Sequence, residues 1–296
     1  MKILYATAFA AVTMMTAGAA LAQNPPATST KKVEGTDNVY VFRYGGHQSM
    51  FVVTPAGVIA TDPISYLRPA KPYIDAIKAV TDKPIKYVIY SHHHYDHIAG
   101  GKPFKDLGAI FIAHRRVKER FLELKKQNAL LADVVMPDQL VDGKKTITLG
   151  GTTVELLYLG ANHSDSNIVI RLPKEKIVFV VDTIPVGSFP GRGMIDFYPA
   201  ETEAFIKKVI ALDWDRLIPG HPGQPGGRLG TKQDAQNVLT LYQEASAELK
   251  KMGQDGKCWD TAEKEFKMPK YATLPGYEAG LGMVARRYCG YWGRGT

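Results

Sequence analysis

The chain has 296 residues, of which 45% are hydrophobic and 22% are charged, and its formal net charge is +8. This length fits one large domain or two small ones, and the composition excludes a disordered or fibrous protein. Lysines and arginines are spread along the chain beside acidic residues, as in Lys118-Glu119-Arg120. The positive charge is therefore typical of solvated helix faces, and we expect no nucleic-acid partner.

The N-terminus predicts export. Residues 3–20 are mostly apolar, and Ala20-Leu21-Ala22 has the small-x-small pattern of a secretory cleavage site. We expect a signal peptide over residues 1–22, a disordered leader over residues 23–36, and a periplasmic or secreted protein without a stable membrane anchor. A membrane-spanning helix is the alternative, although polar residues dilute the apolar run and no stop-transfer charges follow it.

The first half of the mature chain opens with short β-rich runs at Val39–Phe42, Met50–Val53 and Gly57–Ala60. Residues 70–80 carry apolar side chains at three- and four-residue spacing, which predicts an amphipathic helix. The apolar run Ile85–Tyr90 predicts a buried strand, and a histidine-rich segment lies at its end, where α/β proteins place their sites. A second helix is predicted over Arg116–Leu131.

The second half repeats this order. Strands are predicted at Thr146–Leu149, Val154–Leu157, Ile168–Ile170 and Ile177–Val181, followed by a helix over residues 202–212 and a strand at Arg216–Ile218. Two similar halves that face each other are therefore expected.

Residues 229–296 are expected to form a helical extension packed on the domain, with a long helix over Lys232–Met252. Cys258 and Cys289 both lie in this extension. In an oxidising compartment they form one disulfide, and two reduced core thiols are the alternative.

The segment after the strand at residues 85–90 contains a metal-binding pattern, His-x-His-x-Asp-His. His92 and His94 point to the same side of an extended segment and can share one metal. Asp96 and His97 are adjacent and are better placed, after a turn, to hold a second metal. Imidazole and carboxylate suit Zn²⁺, and a catalytic zinc takes three protein ligands. The pattern predicts a dinuclear centre, and a surface tract that binds metal adventitiously is the alternative.

Three further residues at strand ends are candidate ligands: His163, Asp182 and His221. Asp182 directly follows the apolar run 177–181, and a carboxylate there is costly to bury unless metal cations pair with it. A turn or helix-cap residue is the alternative for Asp182.

These motifs together resemble the metallo-β-lactamase superfamily over residues 37–225. The resemblance rests on His-x-His-x-Asp-His, a histidine after a glycine-bearing turn, an aspartate that ends an apolar strand, and Pro219-Gly220-His221. It implies an α/β fold, the αββα sandwich, for a domain over residues 37–228, with metals at one edge between the sheets. It also implies two Zn²⁺ per chain, the first bound by His92, His94 and His163, the second by Asp96, His97 and His221, with Asp182 bridging.

Differences among members of that superfamily narrow the expected chemistry. Classical zinc β-lactamases lack an aspartate at the position of Asp182, whereas glyoxalase II-like thioesterases and lactonases have one. Iron-based flavodiiron relatives usually carry glutamate at the position of His94. The sequence has no Gly-x-Ser-x-Gly elbow of a serine hydrolase. We therefore predict a di-zinc hydrolase that cleaves ester, lactone or related acyl bonds of a small molecule by a metal-bound hydroxide, which Asp96 orients.

Three other functions stay open at this point. They are a zinc β-lactamase-like amidase, a mononuclear-iron sulfur dioxygenase and a non-catalytic periplasmic metal-binding protein. Metal analysis separates the dioxygenase from the hydrolases, and a substrate panel separates the hydrolases from one another.

The remaining histidines are predicted to lie outside the ligand set. His93 is expected to face away from the metals and His114 to lie in the exposed first turn of a helix. His47 follows a glycine pair in a surface loop or lines the pocket.

The segment 184–199 is expected to shape the pocket, and it contains Phe189, Arg192, Met194 and Phe197. Its aromatic residues suggest a partly apolar substrate, and Arg192 is a candidate contact for a substrate carboxylate.

Overall fold

A computed structural model describes residues 27–64, 69–124, 131, 134–191 and 193–295. In this part of the chain the strands form two sheets. The seven-stranded sheet contains, in spatial order, β1 (Thr28–Lys32), β2 (Val39–Tyr44), β3 (His47–Thr54), β4 (Gly57–Thr61), β5 (Ile85–Ile89), β6 (Ile110–His114) and β7 (Gln139–Val141). The five-stranded sheet contains β12 (Arg216–Pro219), β11 (Ile177–Val180), β10 (Val169–Leu172), β9 (Thr152–Leu157) and β8 (Lys144–Leu149).

The helices follow or separate these strands. They are α1 (Lys71–Val80), α2 (Tyr95–Ile98), α3 (Gly101–Asp106), α4 (Arg115–Leu124), α5 (Pro199–Ala211), α6 (Lys232–Gln254), α7 (Ala262–Glu265) and α8 (Tyr277–Cys289). Short 3₁₀ turns occur at Lys257–Trp259 and Pro269–Tyr271, and a π-helical turn at Gly290–Arg294.

The seven-stranded sheet is mixed. Its first four strands pair antiparallel, and β4, β5, β6 and β7 pair parallel. Strand β4 is buried along its whole length, as expected for a strand covered on both faces. On the outer face, the buried stripe of α1, Tyr73, Ile74 and Ile77, packs with Phe42 and other side chains of the sheet. The parallel order brings the loops after β4 and β5 to the same edge.

The five-stranded sheet is antiparallel except for the parallel pair β11 and β12. Its outer face packs against α5, α6 and α8 in one apolar cluster. Between the two sheets lies a separate cluster, in which Ile59 and Ile89 of the first sheet join Ile170 and Phe179 of the second. Helices, sheet, sheet and helices therefore stack in four layers, which confirms the predicted αββα sandwich with a helical C-terminal region.

The expected disordered leader is wrong for residues 28–32. These residues form strand β1, which pairs antiparallel with β2 over the register Thr28↔Tyr44 to Lys32↔Tyr40. All five residues of β1 are exposed. The segment is therefore ordered by backbone hydrogen bonds to the sheet edge, and it has no buried apolar side chain from which a strand could be predicted. The expected signal peptide, residues 1–22, lies outside the described residues.

The C-terminal region contains the predicted long helix, α6, and a second long helix, α8, that was not predicted. Helix α6 begins with a capping box, in which Thr231 and Asp234 each accept the other's backbone N–H. A disulfide joins Cys258 to Cys289 at the end of α8. Within the described residues, no helix combines the length and the apolar character required to span a bilayer.

Candidate metal centre

The histidine motif lies in the loop after β5 and runs into α2. His94 is the N-cap residue of α2, and Asp96 and His97 lie in its first turn. The rings of His92 and His94 are 4.4 Å apart, centroid to centroid. The extended segment and the helical turn therefore present the four side chains of the motif in two directions, as the sequence predicts.

The first cluster combines His92 and His94 with two residues from the opposite sheet. His163 lies in the loop after β9, and its Nε2 is 3.0 Å from His94 Nδ1. Asp182 follows β11, and its Oδ2 lies 3.5 Å from His163 Nε2 and 3.7 Å from His92 Nε2. Ligands about 2.0–2.1 Å from a tetrahedral zinc are separated by about 3.3–3.4 Å. The spacing of the donor atoms thus fits one metal ion.

The second cluster also contains Asp182, together with Asp96, His97 and His221. Asp182 Oδ2 lies 3.2 Å from His97 Nε2, and Asp182 Oδ1 lies 3.2 Å from His221 Nε2. Asp96 Oδ2 is 3.4 Å from His97 Nε2 and 3.8 Å from His221 Nε2. The structure therefore brings all seven predicted ligands together with Asp182 between the clusters, and their role as ligands stays a prediction.

Backbone features at two positions let the five-stranded sheet reach this arrangement. Asp182 has a φ of +64°, in the left-handed region that aspartate tolerates better than most residues. Gly220 precedes His221, and a Cβ atom there would lie 2.9 Å from Asp182 Oδ1 and 2.4 Å from Val181 Cγ1. Only glycine therefore leaves room for the carboxylate beside His221.

The unpaired atoms of the clusters fit metal binding. His92 Nε2, His97 Nε2 and Asp182 Oδ1 are buried and have no hydrogen-bond partner. Buried polar atoms are rarely left without a partner, because each costs about 1–3 kcal/mol. Imidazole nitrogen and carboxylate oxygen are the donor set of zinc, so these residues fit two zinc ions.

The hydrogen bonds behind the clusters fix the imidazole tautomers. Ser91 Oγ donates its proton to Asp62 Oδ2 at 2.6 Å and so accepts from His92 Nδ1–H at 2.9 Å. His221 Nδ1–H donates to the carbonyl of Gly46 at 2.6 Å. In its neutral form each ring therefore presents an unprotonated Nε2 to the clusters, as a metal ligand requires.

Burial and neighbouring charges shift the pKa values of several of these residues. Burial lowers the pKa of His92 well below its ordinary value and that of His163 to about 4, so both are neutral at pH 7. Burial would raise the pKa of Asp182, but His97 and His221 hold it well below its usual range. Burial would lower the pKa of His97, yet Asp182, Asp62 and Asp96 raise it well above its ordinary value. A bound cation can take the place of that proton.

Sequence reasoning missed Asp62. This carboxylate directly follows β4, is fully buried, and accepts hydrogen bonds from Ser91 N at 2.7 Å and Ser91 Oγ at 2.6 Å. His97 Nδ1 lies 3.3 Å from it. The signal was present, because Asp62 ends a buried apolar strand just as Asp182 does.

The structure agrees with one of the two interpretations of His47, and the prediction for His93 is wrong. His47 begins β3 and its Nε2–H donates to Asp96 Oδ2 at 3.0 Å, so it lines the site and is not in a surface loop. His93 does not face away from the centre. Its ring is buried, and its Nε2 lies 3.6 Å from Asp196. Asp196 was not identified from the sequence, and it also accepts a hydrogen bond of 3.0 Å from His94 Nε2–H.

The predicted exposed position of His114 is wrong. His114 ends β6, is buried, and stacks on Tyr158 with the ring centroids 4.0 Å apart. The strand Ile110–His114 was not predicted, because its own sequence is short and is followed directly by the polar residues of α4.

The aromatic side chains of segment 184–199 do not line an open pocket. Phe189 and Phe197 are buried in the cluster outside the five-stranded sheet, where they contact Tyr277 and Tyr242. The expectation of an apolar substrate therefore loses this support. Arg192 lies outside the described residues.

A sequence comparison identifies the family of the region that contains these residues. The model of the metallo-beta-lactamase superfamily matches residues 43–221, a range that includes every predicted ligand.

Curated relatives share part of the chain. It is 26% identical over 198 residues to the alpha subunit of 2,4-dinitroanisole O-demethylase from Nocardioides sp. (strain JS1661), a match that covers 66% of this chain and 58% of the relative. It is 22% identical over 246 residues to the linear primary-alkylsulfatase of Pseudomonas sp. (strain ATCC 19151), covering 66% of this chain and 44% of that protein. The chain thus spans about half the length of these two relatives. Hydroxyacylglutathione hydrolase from Brucella ovis is 26% identical over 197 residues, a match that covers 64% of this chain and 68% of that protein.

Solved structures share the fold at low identity. A metallo-beta-lactamase from Pontibacter korlensis superimposes with a TM-score of 0.62 and 19% identity, covering 73% of this chain and 99% of that one. A double mutant of the sec-alkyl sulfatase PisA1 gives a TM-score of 0.69 and 16% identity, covering 90% of this chain and 50% of that one.

Proposed function

This chain belongs to the metallo-beta-lactamase superfamily, and from that premise we propose that it is a di-zinc hydrolase of ester, lactone or related acyl bonds in small molecules. One observation carries the proposal. The carboxylate of Asp182 lies within 3.7 Å of four imidazole Nε2 atoms, two in each cluster. A buried carboxylate in that position is suited to hold two cations at once.

The zinc ions, when bound, would lower the pKa of a shared water towards neutrality and polarise the carbonyl oxygen of the substrate. The protein's own part begins with Asp96. Its side chain is 31% exposed, against 7% for Asp182, so it is the carboxylate of the two clusters that a water molecule can reach.

Hydrogen bonding prepares Asp96 for this role. Burial would raise its pKa, but the hydrogen bond from His47 and the charge of His97 keep the pKa of Asp96 well below its usual range. The carboxylate is therefore an acceptor at neutral pH, and we assign it the orientation of the attacking water. His47 Nε2–H holds Asp96 Oδ2 from the side of β3.

The preference for esters and lactones over β-lactams follows from Asp182, since classical zinc β-lactamases lack an aspartate at this position. The relatives' names include an O-demethylase, an alkylsulfatase and a hydroxyacylglutathione hydrolase, which indicates that this scaffold serves several bond types.

A second candidate is hydrolysis of alkyl sulfate esters. The match to the sec-alkyl sulfatase structure covers 90% of this chain, whereas the match to the Pontibacter korlensis metallo-beta-lactamase covers 73%. The sulfatase structure therefore resembles a larger part of this chain than the β-lactamase structure does, which supports this candidate.

The test is a rate measurement on the zinc-loaded protein with lactone, thioester, aryl-ester, β-lactam and alkyl-sulfate substrates. His94→Ala removes a first-cluster ligand, and His114→Gln is the matched control because His114 lies outside both clusters. We expect acyl-bond hydrolysis that His94→Ala abolishes and His114→Gln retains. A rate with alkyl sulfate alone supports the second candidate. Bound zinc without any rate contradicts the enzyme proposal, and bound iron with sulfur oxidation favours the dioxygenase.

We also propose that the protein is exported and that residues 1–22 are removed. The apolar N-terminus and the disulfide between Cys258 and Cys289 support this proposal. Cell fractionation followed by intact-mass measurement tests it. A full-length chain in the cytoplasm would contradict it.

A further inference from the structure

The turn between β2 and β3 contacts the loop that carries His221. It consists of Gly45 and Gly46, and the carbonyl of Gly46 accepts the hydrogen bond from His221 Nδ1–H at 2.6 Å. The second residue of β3, Gln48, contacts the same loop twice. We propose that Gln48 is a positioning residue that holds His221 in the second cluster, an inference that rests on the two-zinc centre proposed above.

The hydrogen bonds of Gln48 reach the two residues that precede His221. Gln48 Nε2–H donates to the carbonyl of Pro219 at 2.7 Å, and the backbone N–H of Gln48 donates to the carbonyl of Gly220 at 2.8 Å. Together with the bond from His221 to Gly46, three successive residues of the five-stranded sheet are therefore fixed by the end of one hairpin of the other sheet. Such support behind a metal ligand orients it before the metal arrives.

His221 depends on this support more than the other ligands do. Its side chain is 46% exposed, the largest fraction among the seven candidate ligands, whereas the side chains of His92 and His97 are fully buried. Surrounding atoms therefore restrict the rings of His92 and His97 on all sides, but they leave much of the His221 ring in contact with solvent. Hydrogen bonds must supply the restraint that packing does not.

The amide group of Gln48 is not explained by packing alone. Gln48 is completely buried, and its Oε1 is a buried atom without a hydrogen-bond partner in the part of the chain that the structure describes. Such an atom lowers stability, and a methionine of similar size has none. Exchanging the two amide atoms would place Oε1 against the Pro219 carbonyl, with two acceptors facing each other. Nε2 is therefore the donor to Pro219.

The competing explanation is that Gln48 only stabilises the contact between the two sheets. A residue with that role changes the stability of the protein but does not affect one metal more than the other. A measurement that resolves the two zinc ions therefore separates the two explanations.

The experiment is a zinc titration in competition with a chelator of known affinity, which resolves the two equivalents. Gln48→Met has nearly the same length but lacks the donor, and Gln48→Asn keeps an amide that is one methylene too short to reach Pro219. Thr54→Val is the matched control. Thr54 is also buried, lies at the opposite end of β3, and donates to the carbonyl of Gly57 at 2.8 Å.

Both Gln48 variants are expected to weaken one zinc equivalent by about tenfold or more, the scale on which a partner behind a ligand acts, and to leave the other unchanged. Thr54→Val should leave both unchanged. In a His221→Ala background, Gln48→Met should cause no further loss of zinc affinity, because Gln48 acts through His221. Thermal melting verifies that each variant is folded.

Three results would overturn the inference. The first is an unchanged pair of zinc affinities in the folded Gln48 variants, and the second is an equal loss in both equivalents. The third is a further loss when Gln48→Met is added to His221→Ala. All three leave the proposed hydrolase intact, because the titration needs no substrate. A wild-type protein that binds a single zinc would instead overturn the two-zinc centre and this inference together.

Discussion

The seven-stranded sheet places its candidate ligands on the segment that follows β5, whereas the five-stranded sheet places one on each of three loops, after β9, β11 and β12. In the first sheet, short sequence separation already brings the side chains together. In the second, His163, Asp182 and His221 meet only because β9, β10, β11 and β12 are neighbours in the sheet. Each cluster takes residues from both sheets, so the centre exists only once the two halves pack.

The strongest way to break this arrangement is Asp182→Ala, because both clusters share that carboxylate. We expect hydrolysis to fall by about 10³-fold or more, since metal activation contributes several kcal/mol to the transition state. Steady-state kinetics with the substrate found in the panel measures the effect. Asp213→Asn is the matched control, because the side chain of Asp213 is 66% exposed and belongs to neither cluster. A rate within tenfold of wild type would show that Asp182 is not shared by two metals.

The comparison also explains what the sequence could predict. The His-x-His-x-Asp-His spacing predicted four candidate ligands that the structure brings into the two clusters, and the apolar run before Asp182 predicted a fifth, because a charge after a buried strand requires a partner. Asp62 carried the same signal and was missed. Asp196 had none, since it lies in an irregular loop and its contact with His94 depends on tertiary packing.

The secondary structure was likewise predicted correctly where the sequence itself has a strong apolar pattern. Strongly periodic segments such as α1 and α6 were predicted to within a few residues. The exposed edge strand β1, the short strand β6 and the helix α8 were not predicted. Strand β1 is ordered by backbone hydrogen bonds, and α8 is ordered partly by packing against α6. Neither cause leaves a local pattern.

Two substitutions on the five-stranded sheet separate the clusters. His163→Ala removes a first-cluster ligand, and His221→Ala removes a second-cluster ligand. Each variant is expected to lower the tightly bound zinc from two equivalents to one, because the ligands are divided between the clusters. Elemental analysis after dialysis measures the count. If either variant still held two equivalents, the proposed division of ligands would be wrong.

A smaller effect is expected behind the ligands of the seven-stranded sheet. Asp62→Asn keeps the shape of the side chain but removes the charge beside Ser91 and His97. Zinc affinity should fall by about 10–100-fold, the usual cost of losing a partner behind a ligand. Competition with a chelator of known affinity measures it, and thermal melting verifies that the variant is folded. Unchanged affinity would limit Asp62 to a structural role.

The smallest effect on the centre is expected from the C-terminal region. Replacing both Cys258 and Cys289 by serine opens a link between residues separated by 31 positions. The free energy of unfolding should fall by about 2–4 kcal/mol, while the zinc count stays unchanged. Urea denaturation under oxidising conditions measures the first quantity. A loss of zinc in the folded double variant would mean that this region supports the metal centre directly.

The central claim is that the two sheets meet on one carboxylate that holds two metal ions. Anomalous X-ray scattering at the zinc edge, from crystals of the zinc-loaded protein, tests it most directly. The account predicts two strong peaks about 3.5–4 Å apart, one on each side of Asp182. A single peak, or two peaks of which only one contacts Asp182, would contradict it.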